Sequence, residues 1–257
     1  MDKLNLIEDI YGENGFSLNL KLSDNDLQMM QKMIRMQWLY RLQLLAPDYT
    51  SQFDKLGIEQ YHQLAHIIDH SKAWTKTSRV LPRESVDVIR KMDFFKVMEK
   101  EFGEIKIPDE EKLGWSNVYW RLVRPGNNDF GSLHTENWFV NLGYYGDEIN
   151  DTDWQKIKIW ISIHSTPGKN GLIVVPQSHR NKAWKLHSVE KYGQKKPVID
   201  EDTSKLNQAL LYTEPGRAVI FNYDLLHGGA ENLADLTRIS TEFTFMIRRE
   251  RLTHCHA

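Results

Sequence analysis

The chain has a single cysteine, Cys255, in 257 residues. That excludes an intramolecular disulfide and any zinc or iron–sulfur site built from several cysteines. Neither sign of charge dominates: the formal net charge is −2, so no global field favours nucleic acid or an acidic membrane surface. No apolar run approaches the ~18 residues that a membrane-spanning helix requires. The opening stretch, MDKLNLIEDIYGENG, carries acids throughout and lacks the apolar centre of a signal peptide. A cytoplasmic location is therefore expected. Internal repeats, low-complexity tracts and flexible linkers are absent. So are the GxxxxGKS/T phosphate loop and the GxSxG nucleophile elbow. What is present is ordinary for a soluble globular protein: 40% hydrophobic and 26% charged residues. A chain of this length suits one large domain with a substantial core.

The grain of the sequence changes near residue 110. Before it, apolar residues have helical spacing. Ser23-Asp24-Asn25-Asp26 offers N-cap oxygens, and Leu27 to Leu45 runs without Gly or Pro until Ala46-Pro47. A second helix is expected over Ile58 to Ile68. A third is expected from Glu84 to Phe102, with Gly103 as its C-cap. After residue 114 the period becomes two. Val118, Trp120 and Leu122 alternate with Asn117, Tyr119 and Arg121. Ile159, Ile161 and Ile163 alternate with Lys158, Trp160, Ser162 and His164. Ile239, Thr241, Phe243 and Phe245 alternate with Arg238, Ser240, Glu242 and Thr244. Leu172–Val175, Ala209–Tyr212 and Ala218–Phe221 read as further strands. Such a series suggests an antiparallel sandwich or barrel with the helices packed on one outer face. The polar strand faces either meet solvent or line a polar cavity. Exposed polar faces are the norm for antiparallel sheets, so alternation alone favours solvent.

His134-Thr135-Glu136 lies in GSLHTENWF, at the end of an expected strand. Residues i and i+2 share a strand face, ~7 Å apart. An imidazole with a carboxylate suits ferrous iron, and a second imidazole would complete a facial triad. Taken alone, the pair is what composition supplies by chance. His227 follows an apolar strand and precedes Gly228-Gly229, and Arg238 comes eleven residues after it. Arg238 and Ser240 share a strand face. A guanidinium fork with a neighbouring hydroxyl suits a carboxylate.

Four stretches, SLHTENWF, KIWISIH, GLIVVPQSHR and LLHGGAENLADLTRIS, together resemble the phytanoyl-CoA hydroxylase-like branch of the iron- and 2-oxoglutarate-dependent dioxygenases. The third resembles that branch's Gly-x-x-x-x-Pro-x-Ser-His segment through Gly171, Pro176, Ser178 and His179. The resemblance covers residues ~115–247. It implies a mainly β fold with N-terminal helices: a double-stranded β-helix, the cupin-like jelly-roll barrel. Residues 1–257 would form a single dioxygenase domain, with 1–110 the helical part and 111–250 the jelly-roll core. It implies His134, Glu136 and His227 as catalytic Fe(2+) ligands. It implies Arg238 for the far carboxylate of 2-oxoglutarate, assisted by Ser240, with Trp160, Ser132 and Tyr119 near the cosubstrate. Arg121, Trp138, Tyr144 and His179 are expected substrate contacts. O2 would be the co-reactant, and a C–H bond of a small molecule would be hydroxylated with release of succinate and CO2. The branch usually has Asp where this chain has Glu136. A carboxylate there argues against halogenation, which needs a small residue.

Other readings stay open at this stage. One is a cupin-like metal-binding protein, and another is a metal-dependent isomerase or epimerase, both without oxygenase turnover. His62, His66 and His70 have the spacing of a helical metal stripe, but position 63 is Gln rather than the Glu of HExxH, and a polar helix face is favoured. His254-Cys255-His256 reads as a frayed tail. Lys182, Lys185, Lys191, Lys195 and Lys196 mark a lid or an exposed insertion. Trp138, Phe139, Tyr144 and Tyr145 form either a pocket wall or ordinary core.

Overall fold

A computed structural model of the chain describes residues 4–143, 145, 147–181, 183–191 and 194–253. Tyr144, Lys182 and His254-Cys255-His256 lie outside the described residues.

The long N-terminal helix spans Asp24–Leu45, and its start is capped by Ser23, whose hydroxyl accepts from the Asp26 amide. Met30, Ile34, Trp38 and Leu42, four residues apart, form its buried stripe. That spacing keeps one face on the core. The expected helix over 84–102 is two helices, Arg83–Ile89 and Asp93–Phe102. The break lets both apolar stripes face the same core. The second helix starts where the buried Asp26 carboxylate accepts the Phe94 amide. Gly103 ends it at φ +80°, a conformation glycine adopts without strain.

The stretch 58–68 departs further from expectation. It forms two short 3-10 turns, Ile58–Gln63 and Ala65–Ile67. Tertiary contacts override local propensity here. Tyr61 is buried against Trp38, Phe53 and Trp74, and the Glu59 carbonyl accepts the Thr237 amide. The three histidines consequently do not share a helix face.

Among the described residues, eleven strands follow the order β1 (Phe16–Ser17), β2 (Ile105–Lys106), β3 (Tyr119–Val123), β4 (Trp154–His164), β5 (Leu172–Val174), β6 (Leu186–Lys191), β7 (Gln194–Ile199), β8 (Ala209–Leu210), β9 (Ala218–Asn222), β10 (His227–Gly229) and β11 (Arg238–Arg248). The large antiparallel sheet runs β1-β9-β4-β11-β2, with β3 also paired to β11. A small sheet runs β10-β5-β8, and β6-β7 is a separate hairpin. Ile157, Ile159, Ile161 and Ile163 join Phe243, Phe245 and Ile247 against the N-terminal helices. The opposite face carries Trp160, Val219 and Phe221, which pack against Leu172, Val174 and Leu211.

Both faces of the large sheet are therefore covered. This corrects the solvent-facing expectation for its polar positions: Lys158, Ser162, Arg238, Ser240 and Thr244 are all buried. Alternation shows which residues share a face, and a second layer decides whether that face is wet. Among the described residues, no helix is long and apolar enough to cross a membrane.

Candidate metal centre

Two histidines meet across a backbone bridge. His134 and His227 exchange amide-to-carbonyl hydrogen bonds of 2.9 Å in each direction, and their rings lie 4.5 Å apart. The close approach depends on Gly228. A Cβ there would come within 3.0 Å of the Gly131 carbonyl oxygen and 3.2 Å of the Leu133 nitrogen.

Each ring is oriented by a backbone carbonyl. His134 Nδ1 donates to the Ser132 carbonyl at 2.7 Å, and His227 Nδ1 donates to the Leu225 carbonyl at 2.9 Å. A carbonyl only accepts, so the proton sits on Nδ1 and the Nε2 lone pair is free in the neutral ring. Both Nε2 atoms face one oxygen, Glu136 Oε1, at 3.8 Å from His134 and 3.2 Å from His227. Burial, with the neighbouring His134, lowers the His227 pKa and favours its neutral form. Three electron-rich atoms thus converge within 4.8 Å of one another. Ligands ~2.0–2.2 Å from one ion in a cis arrangement are themselves about 3 Å apart. The donor set fits a divalent metal, because a cation turns this mutual repulsion into attraction. Among the described residues no other group of three histidine, cysteine or acidic side chains meets that test.

Contrary to expectation, Glu136 does not sit on a strand beside His134. It is the first residue of the helix Glu136–Asn141, and its amide donates to the Tyr223 carbonyl at 3.2 Å. The chain turns into a helix between the two residues, and the carboxylate reaches back toward the rings. The longer side chain of Glu is suited to this position. Its second oxygen, Oε2, is 3.3 Å from Lys158 Nζ and accepts the Tyr145 hydroxyl at 3.4 Å. Burial alone would raise the Glu136 pKa. Lys158 and the two histidines instead hold it well below the usual carboxylate range.

Arg238 lies on the same inner face, 2% exposed. Its Nη1 donates to the Gly171 and Ala230 carbonyls at 2.5 and 3.2 Å. Among the described residues its Nε has no hydrogen-bond partner, and neither has the Ser240 hydroxyl two residues on. Among the described residues no carboxylate pairs with this guanidinium. Burial draws its pKa down to about 10, which leaves it charged at neutral pH. Gly229 makes room for it: a Cβ there would stand 3.3 Å from Arg238 Nη2.

The other expected contacts divide. Trp160 is buried between the sheets, and its register partner on β11 is Glu242. Ser132 is exposed and contributes its carbonyl to His134. The Tyr119 hydroxyl, with one proton to share, lies 3.0 Å from Glu110 Oε2 and 3.2 Å from Glu111 Oε1, and Arg121 pairs with Glu242 at 2.6 Å. Trp138 packs with Val175, Ile199 and Leu226, which anchors both the helix Glu136–Asn141 and the base of the β6-β7 hairpin. Phe139, not Trp138, meets the edge of His134 at 5.1 Å. His179 is held away from the triad: its Nε2 meets the Gly12 carbonyl at 3.1 Å and its ring closes on Gly15. His62 bonds Thr237, and His70 bonds Tyr61 and approaches Asp129. Periodicity gave no role to Lys158 or Glu110. A lysine on the inward register of a strand was the available signal for the first.

Lys158→Met leaves Glu136 buried without a cation. The metal-free protein is expected to lose about 3–5 kcal/mol of stability, the usual cost of breaking a buried pair from one side. Zn2+ should restore most of that loss by supplying positive charge at Oε1. Thermal melts with and without zinc measure both effects. An equal deficit in both conditions would put the metal elsewhere.

No protein-family model matches the chain. No curated protein matches it in sequence either. Solved structures do. One is the epimerase SnoN in complex with Fe3+, alpha ketoglutarate and nogalamycin RO, at TM-score 0.55 and 11% identity over 95% of this chain and 83% of that one. Another is the apo non-heme monooxygenase ThoJ, at TM-score 0.54 and 9% identity over 94% and 77%. A third is EctD from S. alaskensis with 2-oxoglutarate and 5-hydroxyectoine, at TM-score 0.53 and 15% identity over 92% and 73%. At these identities the likeness is one of fold.

Proposed function

We propose that the chain is a non-haem iron, 2-oxoglutarate-dependent oxygenase of the phytanoyl-CoA hydroxylase-like branch. It hydroxylates, or otherwise oxidises, a C–H bond of a small organic molecule. In this reading the two facing sheets are a double-stranded β-helix. The observation that carries the reading is the pairing of two unmet demands on one buried face. His134, Glu136 and His227 converge as a donor set that wants a cation. Arg238 and Ser240 present buried donors that want an anion.

Each residue then has a task. The two histidines and Glu136 Oε1 hold Fe(2+). Lys158 and Tyr145 engage Oε2 and so keep Oε1 turned to the ion. Arg238 and Ser240 take the far carboxylate of 2-oxoglutarate, and Trp160 excludes water beside it. When bound, iron with 2-oxoglutarate and O2 supplies an oxidant able to break a C–H bond, with succinate and CO2 as co-products. The protein contributes orientation and a dry site. The iron and 2-oxoglutarate in SnoN, and the cosubstrate and 5-hydroxyectoine in EctD, agree with this assignment on the same fold.

A metal isomerase or epimerase that uses no cosubstrate, or a cupin-like binding protein, needs the triad but no seat for a dicarboxylate. Arg238, buried without a counter-ion, favours the oxygenase. The deciding experiment measures succinate. Iron-loaded protein should convert 2-oxoglutarate to succinate under air, with strict dependence on both additions. Metal binding without any binding of 2-oxoglutarate would overturn the reading.

A further inference from the structure

Among the described residues, Glu136 of the triad and three glutamates of the neighbouring wall differ in their pairing, and three of these four have a cation of their own. Glu136 has Lys158 at 3.3 Å, Glu242 has Arg121 at 2.6 Å, and Glu111 pairs with Lys76. Glu110 is the fourth. It is 2% exposed, and its Oε2 accepts the Tyr119 hydroxyl at 3.0 Å. Its Oε1 has no hydrogen-bond partner among the described residues. Taking a carboxylate out of water costs several kcal/mol unless a partner repays it.

Glu110 is joined to the triad by a continuous wall. Tyr119 bridges Glu110 and Glu111. The Lys76 ammonium lies 5.1 Å from the Tyr119 ring centre and 4.9 Å from that of Tyr145. The Tyr145 hydroxyl in turn reaches Glu136. Lys76 shows what the wall binds. Two tyrosine faces and a carboxylate already surround one ammonium, whose side chain is 38% exposed and enters from the outside.

Resting on the oxygenase reading for where the reaction occurs, we propose that the substrate carries a cationic nitrogen, an amine or guanidine. Glu110 Oε1 takes this group beside Tyr119 and Tyr145, which holds the rest of the molecule at the triad. Glu110 is then the specificity-determining residue, and neutral or anionic molecules of the same shape are rejected because they leave its charge buried and unpaired.

The test uses four probes with one butyl chain and different heads: butylamine, butylguanidine, butanol and butyrate. Saturation-transfer NMR measures their binding to the full chain, metal-free and loaded with redox-inert Zn2+ and 2-oxoglutarate. The two cations should bind in both states, and butanol and butyrate should not. Glu110→Gln should weaken the cations by roughly tenfold to a hundredfold, the value of a hydrogen bond to a charged group. It should leave 2-oxoglutarate binding unchanged. Butanol binding as well as butylamine would overturn the proposal, and this comparison needs no variant to fold. Unchanged cation binding in folded Glu110→Gln would also overturn it. So would loss of cation binding on zinc loading, since Lys158, released from Glu136, would then be the partner of Glu110. Cation binding by a protein that never binds 2-oxoglutarate would support the subsite and count against the oxygenase.

Discussion

His227→Ala is expected to abolish succinate formation and to weaken metal binding by more than about a hundredfold. Changes to groups that merely orient a ligand typically cost ~10–100-fold in metal affinity, and His227 is placed as a ligand itself. Its Nε2 is 3.2 Å from Glu136 Oε1, and its Nδ1 is held by the Leu225 carbonyl. The fold should survive the change. The Lys158–Glu136 pair does not involve His227, and the backbone bridge to His134 uses main-chain atoms. The matched control is His62→Ala. That imidazole bonds the Thr237 hydroxyl and should leave metal affinity as it was. Calorimetric titration with Zn2+, alongside succinate assays with Fe2+, reads both variants. If His62→Ala loses the metal and His227→Ala keeps it, the centre has been placed in the wrong part of the chain.

That contrast shows where periodicity informs and where it does not. Arg238 and Ser240 could be placed together because a strand's two-residue period puts them on one face whatever surrounds it. Whether that face was wet depended on the small sheet β10-β5-β8, whose packing is set by residues distant in the chain. The long helix from Asp24 was readable because its cap and stripe are local. The break between Ile89 and Asp93 was not, because the carboxylate that caps the second helix comes from Asp26. His134 and Glu136 were expected on one strand face, yet Glu136 opens a helix. Their convergence comes from the chain folding back, not from pleat geometry. Lys158 read as a polar strand position. Its task became visible only when Glu136 lay opposite it. The helix expected beneath His62, His66 and His70 failed for the converse reason: the spacing was right, but tertiary contacts leave two 3-10 turns in its place.

Arg238→Met should separate a ligand-binding arginine from a structural one by the sign of two effects. In zinc-loaded wild type, 2-oxoglutarate at a hundredfold excess over its Kd adds about 2.7 kcal/mol by linkage. At roughly 2–4 °C per kcal/mol for a domain of this size, Tm should rise about 5–10 °C. The variant should show no such rise, because the fork that receives the far carboxylate is gone. The ligand-free protein should move the other way. Arg238 is a buried cation bonded to two carbonyls and, among the described residues, to no carboxylate; the field of Arg121 disfavours its charge, and that of Glu242 offsets this in part. Taking a charge out of water costs several kcal/mol when no opposite charge repays it, so an apolar side chain of similar size in its place is expected to be neutral or stabilising. Arg238→Met should therefore melt at the wild-type temperature or above it when no ligand is present. A structural arginine predicts the reverse pair: a less stable bare protein that still responds to 2-oxoglutarate. Differential scanning calorimetry on two proteins, each with and without the dicarboxylate, decides between them. A destabilised variant that retains the ligand shift would remove Arg238 from the site and leave the triad as a metal centre of another kind.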